Sequence, residues 1–161
     1  MIVVSNTTPL IGLAIIQRFD LLCQLFGRIH IAQAVYDEAV THGREEGGAK
    51  REVLTADWIS MHHVQNHSNV NLFLNELDLG EAETIALAQE LSASWVLMDE
   101  RKGRRKLSQL GLPKIGTLGI LLKSKQTGLL PVIRPDVEKL RQQGFSISQS
   151  VIDAVLHQAG E

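Results

Sequence analysis

The sequence has no excess of charge of one sign. Sixteen Lys and Arg stand against eighteen Asp and Glu, a formal net charge of −2. That balance excludes a protein that coats nucleic acid by overall charge, so any such contact has to use a local patch. There is only one cysteine, Cys23, which allows no internal disulfide and fits a reducing compartment. Its setting, Leu21-Leu22-Cys23-Gln24-Leu25-Phe26, reads as a small core residue rather than a reactive thiol. No stretch reaches the ~18 consecutive apolar residues of a membrane span, and Met1-Ile2-Val3-Val4-Ser5 lacks the charged start of a signal peptide. The expectation is a soluble, cytoplasmic protein with no membrane association. Repeats, low-complexity tracts and linkers are also missing. What remains, 161 residues with 44% hydrophobic and 21% charged, suits one domain over 1–161 with a real core and excludes a disordered chain.

Short apolar runs recur at residues 2–5, 29–31, 58–61, 95–98 and 114–115, each followed by helical signals. Thr8 reads as an N-cap with Pro9 at the first helical position, and Thr117 as the cap of a helix over 118–125. Further helices are expected over 21–26, 33–40, 70–76, 81–91, 101–110, 135–143 and 148–158, with a loop or helix start over 43–52. The last of these helices is expected to pack on its own domain. Strands that are apolar throughout, rather than alternating, belong to a parallel sheet covered on both faces. The expected fold is α/β, a three-layer α/β/α sandwich with a mainly parallel four- to five-stranded sheet.

In open parallel sheets ligands bind at the carboxyl ends of the strands. Two polar residues fall at such ends, Asn6 after the first strand and Asp99 after the fourth. Behind Asp99 come Arg101, Lys102, Arg104, Arg105 and Lys106. Bases oppose the helix dipole at an amino end, and Arg101/Arg105 and Lys102/Lys106 repel at i,i+4 spacing. A carboxylate beside such a patch points to a metal ion and a phosphate-bearing substrate.

Other acids are open to two readings. Glu38, in Val35-Tyr36-Asp37-Glu38-Ala39, has the spacing of a solvated helix face. Glu81 shares a stripe with Ile85 and Ala88 and so faces inward, yet Asp78 and Glu81 also have the spacing of a capping box. His62, His63 and His67 lack partners at zinc spacing, and Gly116-Thr117-Leu118-Gly119 lacks the lysine of a phosphate loop.

Taken in order, Asn6-Thr7-Thr8-Pro9-Leu10, Val35-Tyr36-Asp37-Glu38, Leu79-Gly80-Glu81-Ala82-Glu83-Thr84 and Leu97-Met98-Asp99-Glu100-Arg101 carry a pattern that resembles the PIN domain. The segment from Gly111 to Leu122 is similar to that of the VapC-like branch of small stand-alone prokaryotic PIN proteins. The resemblance implies metal-dependent cleavage of RNA with Mg²⁺ or Mn²⁺, and a toxin paired with an antitoxin protein, commonly as a homodimer. It places the acid positions on Asn6, Glu38, Glu81 (with Glu83 as understudy) and Asp99, and the hydroxyl positions on Thr7 and Thr8. Oxygen ligands of this kind suit a hard divalent ion. Arg101, Arg104 and Arg105 would then hold RNA phosphates without selecting sequence.

One residue departs from the pattern. Asn6 stands where the family usually has Asp, so an oxygen ligand remains but a negative charge and a base are lost. Two readings follow: a ribonuclease weakened at this position, or a catalytically inactive module that binds RNA or a partner protein.

Overall fold

The computed structural model describes residues 1–161. Five strands form one parallel sheet, β1 (Val3–Ser5), β2 (Ile29–Ala32), β3 (Ile59–His62), β4 (Trp95–Leu97) and β5 (Lys114–Ile115), in the order β3-β2-β1-β4-β5. All five expected strands are present, and the sheet is parallel throughout. The chain runs outward from β1 to β3 and then crosses back to β4. The strand order therefore reverses between β1 and β4, where a cleft opens at the carboxyl ends.

Ten α-helices pack around it: α1 (Thr7–Ile15), α2 (Asp20–Phe26), α3 (Gln33–Tyr36), α4 (Lys50–Thr55), α5 (His67–Phe73), α6 (Leu79–Glu90), α7 (Arg101–Gln109), α8 (Thr117–Gln126), α9 (Arg134–Gln142) and α10 (Gln149–Gln158). The pleat decides which residues meet which layer. Val3 and Leu97 face a larger core with Leu10, Leu13, Ile120 and Leu121, and Ile152 and Leu156 of α10 are buried there. Val4, Val96 and Met98 face the other core, with Phe73 of α5, Ile85 and Leu87 of α6, and Leu107 of α7. The sheet is thus covered on both faces.

Two local expectations are corrected. α1 starts at Thr7, with Asn6 rather than Thr8 in the capping position. The reason is tertiary: the Asn6 N–H continues the sheet by donating to Leu97 O at 3.0 Å, and the Thr8 hydroxyl is drawn to Glu100. α8 likewise starts at Thr117, with Gly116 as the capping residue, so Thr117 does not cap its own helix. Within 43–52, expected as a loop or helix start, α4 begins at Lys50.

Candidate active site

The β1 side of the cleft is built by Asn6, Thr7 and Thr8. Register Val4↔Val96 puts Asn6 level with Met98 on the same face of the sheet. Asn6 is 4% exposed. Its Nδ2 donates to Glu100 Oε2 at 3.0 Å and lies 3.4 Å from Met98 Sδ. Its Oδ1 is buried and has no hydrogen-bond partner. Thr7 Oγ1 donates to Glu38 Oε2 at 2.5 Å, and Thr8 Oγ1 donates to Glu100 Oε1.

Glu38 reaches the cleft because α3 does not end as an ordinary helix. It continues as a π-helical turn over Asp37–Thr41, a distortion that occurs frequently at functional sites. The Glu38 carboxylate lies directly on Gly80, the second residue of α6. A Cβ there would sit 2.2 Å from Oε1. Position 80 therefore has to be glycine for the acid to rest against the positive end of α6. Loss of surrounding solvent raises the Glu38 pKa, and Asp78, Glu100 and Glu83 add to this, while the Thr7 hydrogen bond works against it.

Glu81 satisfies both readings of its spacing. It is buried at 6% exposure and also completes a capping box. Asp78 Oδ1 accepts from the Glu81 N–H at 2.8 Å, and Glu81 Oε1 accepts from the Asp78 N–H at 3.0 Å. Burial raises its pKa, with Asp78 and Glu100 as neighbouring charges. Glu83 is occupied elsewhere, accepting the Ala34 N–H at the start of α3 at 3.0 Å.

Asp99 faces away from this group. Its Oδ1 accepts the Thr117 N–H at 2.7 Å and its Oδ2 accepts the Thr117 hydroxyl at 2.6 Å. It thereby caps α8 from another element, with Gly116 allowing the close approach. Burial raises its pKa, the two Thr117 bonds oppose that, Glu100 raises it and Arg104 lowers it. Glu100, not singled out in the sequence, is the acid at the end of β4 that joins Asn6, Glu38 and Glu81. The signal for it was available: residues 4, 6, 96, 98 and 100 share one parity, and Asp99 has the other.

The arginines do not form one patch. Arg101 and Arg104 line a groove of about 1110 Å³ with Thr8, Asp99, Glu100 and Lys114. Arg104 Nη1 donates to Met98 O at 2.9 Å. Arg105 lies outside that groove, on another side of α7. Phe145, Ile147 and Val151 supply the groove's apolar wall. Away from this site, His62 shares a 2.8 Å hydrogen bond with His30 across β2 and β3.

The sequence profile of a family described as a PIN domain matches residues 2–161. The chain belongs to the PIN-domain family. No curated protein matches it significantly. PIN domains are a nuclease family and generally work with a divalent metal ion. In this PIN domain no three carboxylates, imidazoles or thiols stand close enough to enclose an ion. Enclosure is not what Mg²⁺ or Mn²⁺ needs, because such ions keep several waters and take one or two carboxylates. The donors are compatible with that pattern: Asn6 Oδ1 is a buried oxygen without a hydrogen-bond donor, Glu100 is bonded to the same amide through Nδ2, and Glu38 is bonded to the adjacent Thr7.

Proposed function

We propose that this PIN domain is a metal-dependent endoribonuclease of the VapC-like branch, the toxin of a toxin–antitoxin pair, acting on RNA in the cytoplasm as a homodimer. The observation that supports the chemistry best is one atom. Asn6 Oδ1 is buried without a partner, which costs ~1–3 kcal/mol, and the same side chain is bonded to Glu100, whose charge Glu38 and Glu81 both feel. A buried acceptor without a donor calls for an explanation, and a bound cation supplies one. The antitoxin, the dimer and the compartment rest on the resemblance and the composition.

Asn6 Oδ1, Glu38 and Glu100 would hold Mg²⁺ or Mn²⁺ together with water. When bound, the ion acidifies a coordinated water and steadies charge on the phosphoryl oxygens. The chain's own residues do the rest. The Thr7 hydroxyl orients Glu38, while the Asn6 amide and Thr8 hydroxyl orient Glu100. Glu81, whose burial raises its affinity for a proton, is suited to accept one from the attacking water. Arg101 and Arg104 hold phosphates in the groove. Asp99 acts on geometry by tying the start of α8 to the end of β4 through Thr117.

The test is cleavage of RNA by purified protein with Mg²⁺ or Mn²⁺, compared with Glu38→Gln and Glu100→Gln. Equal cutting in the presence of a chelator, or by both variants, contradicts the proposal. The amide at position 6 also favours a second reading, a non-catalytic module that binds RNA or a partner protein. That reading requires salt-sensitive RNA binding with no metal-dependent cut.

A further inference from the structure

The bases of α7 divide into two rows that face different ways. Arg101 and Arg104 look into the groove beside Glu100. Lys102, Arg105 and Lys106 line a separate hollow of about 360 Å³, closed by Asn75, Glu76 and Gln109, with no hydrophobic residue in its wall. Lys106 is paired with Glu76 at 3.0 Å. Lys102 and Arg105, both exposed, form none of the ion pairs of the chain. Three cations against one acid leave the hollow positive.

The arrangement works against the helix that carries it. Lys102 lies at the positive end of the α7 dipole, and the pairs Arg101/Arg105 and Lys102/Lys106 repel at i,i+4 spacing. A polyanion on this surface turns each of those terms into an attraction. The composition of the hollow narrows the anion. Its Lys, Arg and amide groups offer N–H donors, and nothing apolar is present to stack a base or seat a lipid chain. A phosphate fits these donors. Consecutive residues of a helix are ~100° apart around its axis, so the 101/104 row and the 102/105 row are neighbouring stripes of one surface.

We infer that the hollow is a second phosphate-binding site, for the backbone of a single-stranded polynucleotide whose cleaved portion occupies the groove. α7 is then a ridge that the strand crosses, with phosphates held on both flanks. The direction of the strand rests on the nuclease reading; the binding itself does not.

The experiment measures binding by fluorescence anisotropy, in EDTA so that nothing is cut, with labelled uridine strands of three and twelve nucleotides. Two paired substitutions are compared, Lys102→Ala with Arg105→Ala, and Lys123→Ala with Lys139→Ala as a charge-matched control on α8 and α9. Each phosphate contact to a single strand contributes ~0.7 to the slope of log K against log salt, so losing two should lower the slope by ~1.4 and weaken the twelve-mer roughly 25-fold at 0.1 M salt. The trimer, too short to reach both flanks, should change less than twofold. A deoxythymidine twelve-mer should show the same loss, because the contacts read phosphate. An unchanged slope, an equal loss with the control pair, an equal loss for the trimer, or duplex RNA bound as tightly as the single strand overturns the inference. Cleavage with Mn²⁺ is scored separately: a protein that binds this way but does not cut removes the nuclease reading and leaves the second phosphate site standing.

Discussion

Gly80→Ala deletes no acid, yet it should disable the site. The added methyl would lie 2.2 Å from Glu38 Oε1, 3.0 Å from Cδ and 3.1 Å from Oε2. The α6 backbone is fixed by its capping box and by fully buried Ile85, so the flexible Glu38 side chain is what moves. Three stability terms oppose one another. Alanine in a helix gains ~0.5–1 kcal/mol over glycine. The hydrogen bond from Thr7 to the carboxylate, ~1.5–3 kcal/mol, is lost, but the carboxylate regains water. The net should stay within ~1 kcal/mol, which for a chain of this size moves Tm by about 2–4 °C. Binding should respond far more. Disturbing residues that merely support a ligand costs ~10–100-fold in metal affinity, so displacing an acid of the site itself should cost at least tenfold. Calorimetry gives the first quantity; Mn²⁺ titration by electron paramagnetic resonance, with RNA cleavage alongside, gives the second. Native Tm with undiminished Mn²⁺ affinity and cleavage would refute the placement of Glu38 in the site. A fall in Tm beyond about 10 °C would show that the helix, rather than the side chain, had yielded.

Three other outcomes are expected. Asn6→Asp sets a carboxylate against Glu100 and removes the amide donor of the 3.0 Å bond, so metal-free Tm should fall while the rise in Tm on adding Mn²⁺ exceeds that of wild type; an unchanged metal-free Tm contradicts the contact. Asp99→Asn leaves one of the two Thr117 donors without its acceptor, a loss of ~1–3 kcal/mol, so thermal melts should show destabilisation even without metal, and a fully stable variant would argue against a capping role. The pKa values of Glu38 and Glu81 are raised chiefly by loss of solvent, as is that of Asp99. The folded state then keeps protons that the unfolded chain has released, and the stability these groups contribute is present below the ordinary carboxylate pKa and lost as pH rises through the raised values. Metal-free Tm should decline over that interval less steeply in Glu38→Gln than in wild type; parallel curves would count against it.

Much of the scaffold was legible in the sequence because burial on both faces writes itself as unbroken apolar runs. Even the two-residue β5 was visible, at Lys114–Ile115. The site was legible in type more than in detail. Asn6 and Thr8 are bonded to Glu100 and Thr7 to Glu38, whereas Asp99, next to Glu100, is bonded to Thr117. The choice between those adjacent acids depends on strand parity, which needs the register Val4↔Val96, and register is a property of two strands rather than of one. Caps failed for a related reason. Thr8 and Thr117 have the right chemistry for capping their own helices, but their hydroxyls are taken by Glu100 and Asp99, which follow β4. Arg101, Arg104 and Arg105 read as one patch in a linear sequence, whereas the turn of α7 sends Arg105 to another side.

The order of the strands has a consequence for timing. The cleft lies between β1 and β4, and the bond from Asn6 to Glu100 joins residues 94 positions apart. During synthesis the chain emerges at roughly 5–20 residues per second, so for several seconds Asn6 and Glu38 exist without the acid that completes their group. Asp99 waits longer still, until Thr117 has followed. A nascent chain stopped anywhere before β4 would hold three strands of the sheet and lack Glu100, the acid to which Asn6 and Thr8 are bonded.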